Sequence, residues 1–203
     1  MKRFLFVVIV SGLAFASVAY GATTQIGIGD DFFSPDAPAV QKLSAGASFH
    51  WQRTSGNGRH NVREDSKIFY SGSATTGAIN FSINASAGTF HYYCEVHGST
   101  SGGMDGIVKV RPTTSAAPAG NPFTVTWALP ATNTGNQFDV RFRKGTSGTW
   151  TIWKNDVAGR TGVFGMNGAP VQVMPGSTYQ FQARSQKVPT QPSGWSPTLT
   201  VHT

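Results

Sequence analysis

The 203-residue chain holds one cysteine, in the string Tyr92-Tyr93-Cys94-Glu95-Val96-His97. A Gly/Ser stretch, Gly98 to Gly103, then leads to Met104. A thiolate, an imidazole and a thioether this close in sequence are donors that suit copper. Soft sulfur favours Cu(I), imidazole suits both oxidation states, and a weak thioether contact is a mark of electron-transfer sites. A second imidazole stands upstream at His60, in Gly56-Asn57-Gly58-Arg59-His60. His60, Cys94, His97 and Met104 are therefore the candidate ligands of one metal ion, and the chemistry they suggest is redox cycling of copper.

The remaining bulk properties narrow the setting. Lys2 and Arg3 precede an apolar run from Phe4 to Val18, and Ala19-Tyr20-Gly21 offers a small-x-small cleavage site. Residues 1–21 are expected to be a signal peptide, with export to the periplasm or the extracellular space. The apolar run is too short and too broken for a membrane anchor, and no other stretch is long enough. Exported proteins usually keep cysteines in disulfides, so a lone Cys94 is free, intermolecular or a metal ligand, and the ligand role gains weight. With no disulfide to staple it, the fold must rest on packed apolar cores.

Charge is uneven. Residues 22–112 carry seven basic and seven acidic side chains. Residues 113–203 carry seven basic ones against Asp139 and Asp156, a net +5. That excess suggests an anionic surface or polymer as a partner of the C-terminal half, with solubility alone as the plainer reading. The charges are scattered and no nucleic-acid motif is present, so no nucleic-acid partner is expected.

The side chains that would hold a metal need elements to place them. The stretch from Pro112 to Pro122 is rich in small residues and proline and reads as a boundary. It divides the mature chain into residues 22–112, a linker over 113–121, and residues 122–203. Both halves read as all-β, with short alternating runs such as Ala47–Trp51, Ile79–Ile83, Thr89–Cys94 and Ile107–Val110 between turn-forming clusters. No long segment carries a helical apolar period, and short strands at regular spacing suggest two-sheet sandwiches. Alternation puts Phe90, Tyr92 and Cys94 on one strand face, so an inward Phe90 carries the thiol inward. His50 and His91 fall on the opposite faces of their strands and read as surface histidines.

The N-terminal half resembles the cupredoxins, in particular the plastocyanin- and pseudoazurin-like blue copper proteins. The matching pieces are Phe33-Ser34-Pro35, Phe49-His50-Trp51, His60-Asn61-Val62, Gly88 to Gly98, and Met104-Asp105-Gly106-Ile107-Val108. The resemblance covers nearly all of residues 23–112. It implies a Greek-key β-sandwich with a mononuclear type 1 copper site. His60, Cys94 and His97 match the strong ligands, and Met104 matches the weak axial one. Asn61 matches the residue that ties the two ligand loops together near the sulfur, a contact that steadies the ligands and tunes the metal. The stretch from His97 to Met104 is longer than in plastocyanin-like members. Redox partners would dock near His97, which the family leaves at an apolar surface.

The C-terminal half is similar to fibronectin type III domains, immunoglobulin-like β-sandwiches. The pieces are Phe123–Trp127, Phe138–Arg143, Pro175–Arg184 and Gly194-Trp195-Ser196-Pro197 before a last strand at Thr198–His202. The resemblance makes Tyr179 the tyrosine whose hydroxyl bonds nearby backbone. It implies adhesion, spacing or docking rather than catalysis.

The chain is thus expected to be an exported electron-transfer protein, cycling one copper between Cu(II) and Cu(I), and not an enzyme. Its five histidines include no His-x-His pair for a copper cluster, and an inward Cys94 is unsuited to protease chemistry. The alternatives are a copper carrier or store, and a cell-surface binding module without electron transfer.

Overall fold

In the computed structural model, residues 22–43, 46–117, 119–166, 171–188 and 191–203 are described. The expected signal peptide, residues 1–21, lies outside them. The chain is all-β: strands dominate the described residues and none of them is α-helical. No helix among the described residues is long and apolar enough to cross a membrane.

The first eight strands are β1 (Thr24–Gly29), β2 (Phe32–Ser34), β3 (Gln41–Lys42), β4 (Ser48–Arg53), β5 (Arg63–Glu64), β6 (Asn80–Asn84), β7 (Gly88–Ser99) and β8 (Gly102–Arg111). They form two four-stranded sheets, ordered β2-β1-β4-β6 and β3-β8-β7-β5. Their inner faces meet in one core: Ile26 and Ile28 of β1, Phe49 and Trp51 of β4, and Phe90, Tyr92 and Cys94 of β7 are all buried in it. The period-2 pattern is the cause. On β8, Met104, Val108 and Val110 point inward while Ile107, Lys109 and Arg111 lie partly open. Trp51 packs edge-on to Tyr92 with ring centroids 5.1 Å apart, which locks the two sheets together.

The remaining strands are β9 (Thr113–Thr114), β10 (Phe123–Thr126), β11 (Gln137–Lys144), β12 (Thr151–Val157), β13 (Thr161–Phe164), β14 (Thr178–Gln186) and β15 (Leu199–His202). They build a three-stranded sheet, β13-β10-β9, and a four-stranded sheet, β12-β11-β14-β15. A second core lies between them, with Phe123, Phe138, Phe142, Phe164 and Phe181 among its buried side chains. Trp127 is buried, and its indole N–H donates to the Gly159 carbonyl at 2.7 Å. The Tyr179 hydroxyl donates to the Gln172 carbonyl and accepts from the Met174 N–H, so this tyrosine does bond nearby backbone. Thr113 and Thr114, expected to open an extended linker, instead pair with β10 at the edge of the second sandwich.

Hydrogen bonds join the two sandwiches. Ser86 and Thr134 are fully buried and bonded to each other through side chain and backbone. Thr89 and Gly194 exchange both backbone hydrogen bonds.

Candidate metal centre

The site lies where β7 leaves its partner. From Gly88 to Tyr93 the strand pairs regularly with β8, ending at Tyr93↔Asp105. Pairing resumes at Gly98↔Gly103, so Cys94 to His97 bulge out opposite the single residue Met104. A bulge re-aims side chains. Here it leaves Cys94 buried and brings His97 round to the same centre. The Gly98–Gly103 stretch, read from sequence as a flexible loop, is a tight hairpin between β7 and β8. Gly102 and Gly103 supply its positive φ angles, 133° and 103°. A Cβ on Gly98 would collide with the Met104 carbonyl oxygen, so only glycine lets the two strands close there.

Three of the four expected ligands converge. Cys94 Sγ is 3.8 Å from His60 Nδ1 and 3.9 Å from His97 Nδ1, and the two Nδ1 atoms are 3.2 Å apart. Donors that each sit roughly 2.0–2.3 Å from a shared ion have separations of this order. The set of one thiolate and two imidazoles therefore fits a copper or zinc ion. His60 and Cys94 are fully buried and His97 is partly open. Met104 is buried in the same core as Cys94, as the residue facing the bulge. The Arg59 carbonyl lies 3.9 Å from Sγ on the His60 side.

Asn61 bridges the two ligand-bearing segments. Its side-chain oxygen accepts from the Glu95 N–H at 2.9 Å, and its amide donates to the Glu95 carboxylate at 2.7 Å. Glu95 also accepts from Arg63 at 2.6 Å and from the Tyr70 hydroxyl at 3.0 Å. Partial burial pushes the Glu95 carboxyl upward, but the bonds from Asn61, Arg63 and Tyr70 outweigh it and hold the group below its ordinary range.

Sequence reasoning missed Asp30 and Asp31. Both sit in the turn between β1 and β2. Asp30 Oδ1 lies 3.3 Å from His60 Nε2, and it also accepts the Gly58 N–H at 3.0 Å. Those two bonds, the backbone one first, hold its carboxyl below the usual value. With Nε2–H donating to Asp30, the His60 Nδ1 lone pair is the one left facing Cys94. Asp31 Oδ1 is 3.5 Å from His97 Nδ1. Two adjacent acids beside a turn were the only signal in the sequence, and such pairs are ordinary at turns. The histidines expected at the surface stay apart from this centre: His50 bonds Ser82, and His91 bridges Asp65 and Asp105.

No family model matches the chain, and no curated protein matches it. Solved structures with some likeness include a two-domain fibronectin type III segment of chicken tenascin. It is 18% identical, covers 71% of this chain and 82% of its own, and has a TM-score of 0.32. A multicopper oxidase is 11% identical, covers 86% of this chain and 87% of its own, and has a TM-score of 0.34. At these scores neither likeness bears on function.

Proposed function

We propose that this protein is a one-electron carrier that binds a single type 1 copper ion, which His60, Cys94 and His97 would hold, with the Met104 thioether as the weak fourth donor. The N-terminal sandwich is on this reading a cupredoxin and the C-terminal one a fibronectin type III-like domain. One observation carries the proposal: a buried thiol and two imidazole nitrogens from two separate segments meet within 3.9 Å of one another. When bound, copper supplies the Cu(II)/Cu(I) couple.

The chain's own residues supply rigidity and an exit. His60 is held from behind by Asp30, and Cys94 is fully buried in the apolar core between the sheets. Asn61 ties the Cys94 segment to the His60 segment. Ligands restrained in this way move little when the ion's charge changes, which keeps the barrier to electron transfer low. His97 is the partly open ligand, with a side chain 28% exposed. Its neighbour Val96 and the neighbour of Asp31, Phe32, are each about half exposed, at 50% and 49%. An apolar edge beside the open imidazole is where a redox protein would dock.

Voltammetry of the copper-loaded chain tests this function. A reversible one-electron couple that is lost in Cys94→Ser is expected. A tightly bound ion with no reversible couple would instead favour the carrier or storage reading.

A further inference from the structure

The outer face of the sheet β12-β11-β14-β15 carries a feature the metal centre does not use. Arg141 stacks on Trp150 at 4.7 Å and on Trp195 at 4.2 Å. Arg143 lies over Trp150 at 4.6 Å, and Arg184 over Trp195 at 4.6 Å. The order Arg143–Trp150–Arg141–Trp195–Arg184 is an alternating row of cations and indoles. Strand alternation produces it: Arg141 and Arg143 point outward from β11 between the buried Val140 and Phe142, while Arg184 follows the buried Ala183 on β14. Trp150 and Trp195 come from flanking loops and lie over that face.

A row that only stapled the sheet could have been neutralised by carboxylates. Among the described residues only one pairs with the row: the buried Asp139, 2.8 Å from Arg184. Arg141 donates through Nε and Nη2 to the neutral Gln182. Arg143 donates through Nε to the neutral Gln180 and through Nη1 to the Gly148 carbonyl. Arg141 Nη1 and Arg143 Nη2 bond no protein acceptor among the described residues, and both residues are partly exposed. Two guanidinium charges therefore stand uncompensated, side by side, with spare donors. Their rotamers are already fixed by the indoles and glutamines, so little entropy is lost when they bind.

We propose that this row is a binding site for an acidic polysaccharide, with the sulfate or carboxylate groups of successive sugar units bridging Arg141 and Arg143. The guanidinium fork suits both kinds of oxyanion. The row is linear and lies on a sheet face, which suits an extended chain. Trp195 is covered on its faces by Arg141 and Arg184 and Trp150 carries two guanidiniums, which leaves poor platforms for stacking nucleobases. The site is independent of the copper reading.

Isothermal titration of the full chain with a heparin hexasaccharide tests it, at two salt concentrations. The wild-type chain binds, more weakly at higher salt. The double variant Arg141→Gln/Arg143→Gln binds ~10-fold or more weakly, because charge and fork are both lost. Lys42→Gln/Lys109→Gln, with the same change in charge on the other sandwich, binds as the wild type does. Arg141→Lys/Arg143→Lys keeps the charge but not the fork, so it binds between the wild type and the Gln variant; a folding defect common to both variants would instead abolish binding in both and overturn the proposal. The proposal is overturned by absence of hexasaccharide binding, by equal loss in the Lys42/Lys109 variant, or by unchanged binding in the Arg141/Arg143 variant. Equally tight binding of duplex DNA or anionic lipid vesicles overturns it too.

Discussion

At the scale of single residues, the site depends on groups that touch no metal. Asp30 fixes the His60 tautomer by accepting from Nε2, and Gly58 keeps room for that contact, since a Cβ there would come 2.8 Å from Nε2. Replacing a carboxylate that orients a ligating imidazole typically costs 10–100-fold in metal affinity. Asp30→Asn is therefore expected to weaken copper binding by about 10-fold or more in competition with a chelator, with the fold intact. Unchanged affinity would show that His60 needs no such partner. Cys94 and His97 were legible in the sequence because one short segment carries both. Asn61 was legible through its place after His60. Asp30 was not, because the parallel pairing of β1 with β4 carries its turn to the His60 loop, and nothing local in the chain announces that contact.

At the scale of elements, the β7–β8 hairpin shapes the site and the β5 turn carries a buried acid. The sequence placed Gly98–Gly103 as a floppy connection because Gly and Ser dominate it. The register shows a closed hairpin, and the close approach of Gly98 to the Met104 backbone explains the glycine. Gly98→Ala would push β7 and β8 apart beside two ligands, and a loss of ~1–3 kcal/mol in unfolding free energy is expected. Chemical denaturation of the apo chain measures it, and an unchanged midpoint would contradict the tight packing. Glu64 on β5 is 2% exposed and accepts from the Ser66 and Ile68 N–H groups. Burial outweighs those bonds and raises its carboxyl from 4.5 to about 7. A raised folded value means that its contribution to stability is full below about pH 4.5 and is lost as pH climbs to about 7. Glu64→Gln should remove a decline of the order of 3 kcal/mol across that window. Thermal melts from pH 4.5 to 8 would show it, and parallel curves for both proteins would contradict it. His91 acts in the same direction: burial lowers its pKa, but Asp105 and Asp65 raise it further, so its bridge weakens as pH rises through the raised value.

At the scale of the whole molecule, the all-β class and two cores were legible from alternation and turn composition. The seam between them was not, because Ser86 and Thr134 are ordinary polar residues until the fold buries both. Removing residues 113–203 would strip Ser86 and Thr89 of their partners. The remaining sandwich should still bind copper through its own segments, yet melt about 5–20 °C lower, since each seam hydrogen bond given up to water costs about 0.5–1.5 kcal/mol net. An unchanged melting point would show that the seam contributes nothing. If Cys94 binds copper as a thiolate beside two imidazoles, the visible spectrum of the full chain loaded with Cu(II) must show it. An intense thiolate-to-copper charge-transfer band, bleached by reduction and missing in Cys94→Ser, is the expected result. Copper bound at this centre without such a band would contradict the account.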